Sequence, residues 1–187
     1  MESSGSMITV RYYFIFVIFA MVIFSSMACL STSTGPSPEN DFPLTIVGDD
    51  GTAVVFHKSP ERIIAFDSAA VEILFALGEG NRVIGTHSLV NLSPEMINIT
   101  RVGDAFNVNL EKSVDLEPDL FFVFFDRFVP DLRKLGVKVL YMKSPETLDD
   151  VIERIGFWGR LVSAEEKSEF VSTTMKNRLT SVKERLP

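Results

Sequence analysis

The chain has 187 residues, a net charge of -7, 46% hydrophobic residues, one cysteine and two histidines, which is enough for about one domain of ordinary size. An acidic balance with no Lys/Arg block excludes recognition of a phosphate backbone, which needs clustered cations. Cys29 alone excludes an internal disulfide and a thiolate metal cluster, and His57 and His87 are too few for a His-rich metal site.

Residues 1–28 carry only Glu2 and Arg11 as charged groups. Tyr12 to Phe24 is an uncharged apolar run, preceded by Arg11 and followed by Ser25-Ser26-Met27-Ala28. A positive flank, a short apolar run and small residues describe a secretory signal peptide; an uncleaved anchor is the other reading, although a spanning helix needs ~20 apolar residues. Either places the rest of the chain outside the cytoplasm. Cys29 stands directly after this segment, as in lipoprotein signals where the cysteine is lipidated; a free cysteine beside a cleavage site is the alternative. Leu30 to Asp41 is rich in Ser, Thr, Pro and Gly and reads as a flexible tether.

The folded part begins with a hairpin, Phe42 to Phe56, turning at Gly48-Asp49-Asp50-Gly51. Arg62 to Phe66 is a short apolar run of the kind found in buried parallel strands. A helix with Ser68 as its cap follows and stops at Gly78. Strands are then expected at 82–86, 119–125 and 137–141, with helical stretches around 110–114 and 128–135. Strands alternating with short helices give an α/β unit with a mostly parallel sheet. Ser144-Pro145 reads as a helix start, with Ser as cap and Pro at the first position. Ser163-Ala164-Glu165-Glu166 has capping-box spacing and opens a final helix of about 22 residues, roughly 33 Å long. Val171, Met175, Leu179, Val182 and Leu186 line one side of that helix. The expected domains are a signal peptide at 1–28, an anchor cysteine and tether at 29–41, an α/β lobe at 42–143 and a helical region at 144–187.

Several segments resemble the substrate-binding proteins of ABC importers for iron-siderophores, haem and cobalamin, in which two α/β lobes are bridged by one long helix. The stretch Arg62 to Gly78, with Arg82-Val83-Ile84-Gly85 after it, looks like the family's opening strand and helix. Gly103, Asn109-Leu110-Glu111 and Leu116-Glu117-Pro118-Asp119-Leu120 resemble its "G…N-x-E…L-x-P-D-L" segment, with Val at 108 in place of a commonly polar or Pro residue. The final helices, around Trp158-Gly159-Arg160-Leu161, look like the interlobe helix. The resemblance implies an extracytoplasmic binding protein with a small metal chelate as ligand, an ABC permease as partner, no enzyme activity and no cofactor of its own. The family's second lobe follows the long helix, whereas this chain stops at Pro187, so the expectation is a single N-terminal lobe from a truncated or split product. A tethered interaction module that binds a permease or partner protein without ligand is the alternative.

In an open parallel sheet, ligands sit beyond the carboxyl ends of the strands. The candidates there are Ser68 and Ala69, whose helix amides suit an anionic group, with His87 after the second strand and Asp104 before the Asn-Leu-Glu segment. Phe106 and Phe125 suit stacking on a planar ligand, and Arg127 suits carboxylate or catecholate oxygens. Each has a plainer reading: Ser68 as a cap, the two Phe as core, Arg127 paired with Asp131. Glu111 matches, in the resembling family, an acidic residue that docks on permease arginines, and is otherwise a solvated glutamate.

Overall fold

The computed structural model describes residues 42–91, 94, 98–104 and 106–185. The apolar segment, Cys29, the tether and Leu186 lie outside the described residues.

β1 (Leu44–Val47) and β2 (Ala53–Phe56) form the expected antiparallel hairpin, Leu44 facing Phe56 and Val47 facing Ala53. Its turn closes with the Gly51 amide on the Gly48 carbonyl at 2.9 Å, and Gly51 has φ 76°, a conformation open to glycine at little cost.

The main sheet has five strands in the order β5-β4-β3-β8-β9, all parallel. They are β3 (Ile63–Phe66), β4 (Val83–Thr86), β5 (Thr100–Arg101), β8 (Leu120–Val123) and β9 (Val139–Tyr141). A short antiparallel pair, β6 (Gly103–Asp104) and β7 (Asn107–Val108), follows β5. β3 and β8 are buried along their whole length, as parallel strands covered on both faces must be. Side chains alternate between two cores. Ile63, Ala65, Leu120, Phe122 and Leu140 face one cluster; Ile64, Phe66, Phe121, Val123 and Tyr141 face the other.

α1 (Ser68–Ala76), α4 (Leu148–Leu161) and α5 (Glu165–Lys183) supply the first cluster. α2 (Leu110–Asp115) and α3 (Val129–Lys134) cover the second. Trp158 on α4 is fully buried and meets Phe122 edge-on at 4.9 Å between ring centroids. Burying one such side chain contributes about 1.5–3 kcal/mol.

Three expected helix starts are corrected. α1 is capped by Asp67, whose Oδ1 accepts the Ala69 amide at 3.0 Å, and Ser68 is already its first helical residue. Asp and Ser are comparable caps, and here the residue before the first helical turn supplies the accepting oxygen. α4 starts not at Ser144-Pro145 but at Thr147, in a reciprocal capping box with Asp150. α5 has Ala164 at its cap position with no side-chain bond, because Ser163 turns to φ 56° as the chain reverses between α4 and α5.

Two arginines tie the amino ends of the strands. Arg82 donates to Glu79 Oε2 at 2.7 Å, Ser59 Oγ at 2.9 Å, the Pro60 carbonyl at 2.8 Å and the Val162 carbonyl at 3.4 Å. Arg62 donates to the Glu117 and Leu116 carbonyls at 3.1 and 2.6 Å. Asp119 accepts the Glu61 and Arg62 amides at 2.8 and 3.0 Å, so the aspartate of the Pro-Asp-Leu segment fastens β8 to β3.

α4 and α5 pack against each other, and a Cβ at Gly159 would overlap the Ser168 side chain. No helix among the described residues is long and apolar enough to cross a membrane. Gly159→Ala gains up to about 1 kcal/mol of helix propensity and loses about 1–3 kcal/mol to overpacking, so the overlap decides the sign. The thermal midpoint of Gly159→Ala should fall, and adding Ser168→Gly should recover part of the loss; an unchanged or higher midpoint for the single variant would show that the two helices are not held this close.

Candidate functional site

The carboxyl ends of β3, β4 and β8 emerge side by side because the three strands are hydrogen-bonded neighbours or next neighbours. Thr86 Oγ1 donates to the Ala65 carbonyl at 2.8 Å, locking the ends of β4 and β3. Beyond that point His87 Nε2 lies 3.3 Å from Ser68 Oγ, so two candidates far apart in sequence meet. The imidazole sits edge-on to Phe66 at 5.3 Å. Phe66 meets Phe125 at 6.0 Å, Phe125 meets Phe128 at 5.8 Å, and the Arg127 guanidinium lies 5.3 Å from the Phe128 ring centre. Ser68, His87, Phe125 and Arg127 thus belong to one chain of contacts, passing from a buried imidazole to an exposed cation. Asp131 pairs with Lys134 at 3.2 Å, which corrects the expected Arg127–Asp131 pair; the arginine is held by an aromatic face instead.

His87 is buried, and its Nδ1 has no hydrogen-bond partner among the described residues. Burial holds its pKa below the usual value of 6.5, helped by the positive charge of Arg101. Arg101 donates to the His87 carbonyl at 2.6 Å and to the Val90 carbonyl at 2.8 Å, fixing the loop after β4. The Ser68–His87 contact has the first two parts of a nucleophile–base–acid triad, but no carboxylate among the described residues orients Nδ1.

Asp104 and Phe106 lie on a second feature of this edge. Val102 donates to the Thr86 carbonyl and Ser88 to the Gly103 carbonyl, at 2.9 and 2.8 Å, so the β6–β7 hairpin is tied to the loop after β4. Asp104 Oδ1 accepts the Phe106 and Asn107 amides, both at 2.8 Å, and the Asn107 side chain reaches both carboxylate oxygens at 3.2 Å. These bonds hold the Asp104 carboxyl below the usual carboxylate range. Gly103 has φ 142°, and a Cβ there would overlap the Asn107 backbone. Phe106 is 71% exposed, and the reading of Phe106 as core is corrected, because it belongs to neither apolar cluster. Phe125 is half-buried in the aromatic chain. Glu111 is exposed in the first turn of α2, beside the Asn109 cap that accepts the Lys112 amide at 2.9 Å.

Of the helix amides at Ser68 to Ala70 that the sequence offered to an anion, one has an internal partner. The Ala69 amide is already engaged by the Asp67 carboxylate, and burial raises the pKa of that carboxyl above its usual value of 3.8.

Arg154 was not legible as a site residue. It projects from α4 over the Phe122 and Phe157 rings at 5.6 and 5.9 Å, and donates to the Lys143 carbonyl at 2.9 Å. Its Nη1 is buried without a partner among the described residues. Burial lowers its pKa, against the opposing pull of Asp67, Asp49 and Asp150. It lines a cavity of about 440 Å³ with Met142, Ser144, Glu146 and Phe157, beyond the carboxyl end of β9. In sequence it is one arginine on an amphipathic helix, and nothing marks it as half-buried. No group of three or more His, Cys, Asp or Glu side chains suited to a metal ion occurs among the described residues.

Comparison with known proteins gives a consistent picture. The Periplasmic binding protein family matches residues 63–187. A Bacillus subtilis ABC transporter substrate-binding lipoprotein, YvrC, is 29% identical over 150 residues, covering 77% of this chain and 48% of that protein. A cobalamin-binding protein of Halobacterium salinarum is 25% identical over 151 residues, covering 78% of this chain and 41% of that protein. Among solved structures, a component of an ABC-type Fe3+-hydroxamate transport system from Saccharomonospora viridis superposes with a TM-score of 0.64 at 26% identity, covering 76% of this chain and 56% of that one. The chain therefore spans about half the length of the relatives it matches. With an open parallel sheet, a furnished carboxyl edge and a family match over its last two-thirds, the chain belongs to the periplasmic binding protein family.

Proposed function

We propose that this chain is the first lobe of an extracytoplasmic substrate-binding protein that captures a metal chelate of the iron-siderophore, haem or cobalamin class for an ABC importer. The observation that carries the reading is the carboxyl edge: Phe106 is open to solvent beside the Asp104 carboxylate that accepts its amide, and a contiguous path from Ser68 and His87 through Phe125 to Arg127 lies at the same edge of the sheet. Exposing a large aromatic ring to water forgoes the favourable free energy of burial, and a rigid ring is the group best suited to stack on a flat or macrocyclic ligand. The names of two relatives, a cobalamin-binding protein and a Fe3+-hydroxamate transport component, support the ligand class. Phe106 and Phe125 act as stacking faces, Arg127 pairs with ligand oxygens, and Ser68, Ala69, His87 and Asp104 shape the floor and the turn. Glu111 is the docking contact for a permease arginine, where a rim charge sets orientation and encounter rate more than affinity. α5 is the bridge toward a second lobe, with residues 42–143 as the lobe itself and 144–187 as the bridge region. Residues 1–28 act as signal peptide and Cys29 as the lipid-anchor site, supported by the lipoprotein name of the Bacillus relative.

Trp158 is a poor optical reporter of this site, since it is fully buried in the core against Phe122. Thermal shift and equilibrium dialysis against ferric hydroxamates, haemin and cobalamin are the direct tests. One of these ligands should raise the melting midpoint saturably, and Phe106→Ala should weaken that ligand by about tenfold, the loss of about 1.4 kcal/mol of stacking. Unchanged affinity in Phe106→Ala would remove the ring from the site; no shift with any ligand would favour a tethered module that docks on a permease or partner without ligand.

The buried imidazole gives the lobe a pH signature. Because its folded pKa lies below the unfolded value, the unfolded chain binds the extra proton first. Stability is therefore fully present above about 6.5 and lost as pH falls through the folded value. The melting midpoint of the unmodified chain should drop in that window more than that of His87→Gln; parallel curves for the two would show that His87 does not titrate differently on folding.

A further inference from the structure

We propose that Asn98 is a site of N-linked glycosylation. The proposal rests on the extracytoplasmic placement given under Proposed function, because the lipid-carried saccharides that modify asparagine are used on that side of a membrane. Of the asparagines in the chain, Asn91 and Asn98 stand two residues before a hydroxyl residue, in Asn91-Leu92-Ser93 and Asn98-Ile99-Thr100. That spacing is the one an asparagine acceptor requires. The two are not equivalent, since Pro94 follows Ser93 directly and proline restricts the residue before it.

The fold presents Asn98 for modification. It is exposed, in the turn that leads into β5. Ile99 is only 8% exposed and belongs to the first apolar cluster, while Thr100 is half-buried at the start of β5. With Ile99 directed inward, the two residues that a transferase reads are turned outward on either side of it. β5 is also the outermost strand of the main sheet, paired among the described residues with β4 alone. Thr100 pairs with Gly85, the third residue of β4, so Asn98 lies toward the amino ends of the strands. Arg62 and Val83, at the amino ends of β3 and β4, line the same cavity as Asn98 and Thr100. That cavity holds about 530 Å³ and also offers the Phe75 ring and the Asn81 amide. An aromatic face carries partial negative charge and suits the C–H side of a pyranose, and an amide suits its hydroxyls. A first saccharide on Asn98 therefore has a surface beside it. His87 and the other ligand candidates stand at the carboxyl ends, so the glycan leaves them open.

The step is a group transfer without redox change. Asn98 Nδ2 attacks the anomeric carbon of a saccharide carried on a polyisoprenyl phosphate or pyrophosphate. The bond from that carbon to Nδ2 forms as its bond to the phosphate oxygen breaks. The lipid phosphate leaves with the electron pair, and one amide proton passes to a base of the transferase. The part played by this chain is to offer the Asn98 amide and the Thr100 hydroxyl together at an open strand edge.

The test takes the chain from the membranes of the cells that encode it. A membrane-impermeant amine reagent, applied to whole cells, marks the copies that lie outside. Trypsin then releases residues 83–101 as one peptide, cut after Arg82 and Arg101, which holds both asparagine patterns. That peptide should carry added saccharide mass, and electron-transfer fragmentation should place it on Asn98. Asn98→Gln and Thr100→Val should each remove the mass, Thr100→Ser should retain it, and Asn91→Gln should leave it unchanged. Thr100→Val keeps the β-branched shape of the strand residue, so its effect reads the hydroxyl and not the fold. Unmodified peptide from labelled chains, mass on Asn91 in place of Asn98, or modification that survives Thr100→Val overturns the proposal. Chains that the reagent does not reach would remove the export reading and the proposal with it, which separates that failure from the others.

Discussion

The strand β3 has no solvated face, and the remaining elements are arranged around that constraint. Ile63, Ile64, Ala65 and Phe66 are all fully buried, so helices are required on both sides and hydrogen-bonded strands on both edges. β4 and β8 satisfy the edges, α1 and α4 close one face, and α2 and α3 close the other. A strand so enclosed releases its chain to solvent only at its two ends. Polar chemistry is therefore confined to the amino and carboxyl edges of the sheet.

Those two edges are used differently. At the amino edge Arg82, Arg62 and Asp119 bind backbone groups from three separate segments, residues 60–62, residues 116–117 and Val162. At the carboxyl edge groups are left open: the Phe106 ring is exposed, His87 Nδ1 and Arg154 Nη1 lack partners among the described residues, and Arg127 rests on an aromatic face. Structural bonds at one end and unengaged groups at the other is the division of labour that open parallel sheets permit.

The sequence was legible where one residue type had one physical use. The runs at 63–66 and 120–123 announce buried strands because nothing but burial suits them, and the Asn-Leu-Glu and Pro-Asp-Leu segments carried the family resemblance. β5 was missed because two residues, Thr100 and Arg101, make a strand only through their pairing with β4. Helix starts were misplaced because several capping residues competed locally and tertiary position chose among them: Asp67 over Ser68, Thr147 over Ser144. In the site, aromatic and histidine residues could be nominated from their place after strands. Arg154 could not, since its half-burial depends on the Phe122 and Phe157 rings brought beneath it.

The glycine at the crossing of α4 and α5 has a mechanical meaning. With no side chain between the helices at Gly159, backbone and Ser168 are in direct contact, and the crossing has little compliance. The helix that starts there is a lever about 28 Å long. A tilt of about 10° at its base would carry the far tip through roughly 5 Å, on the order of one helical turn. Whatever the distal half of α5 touches is thus aimed from this crossing, and a single methyl group added there misdirects it without altering any residue near the tip.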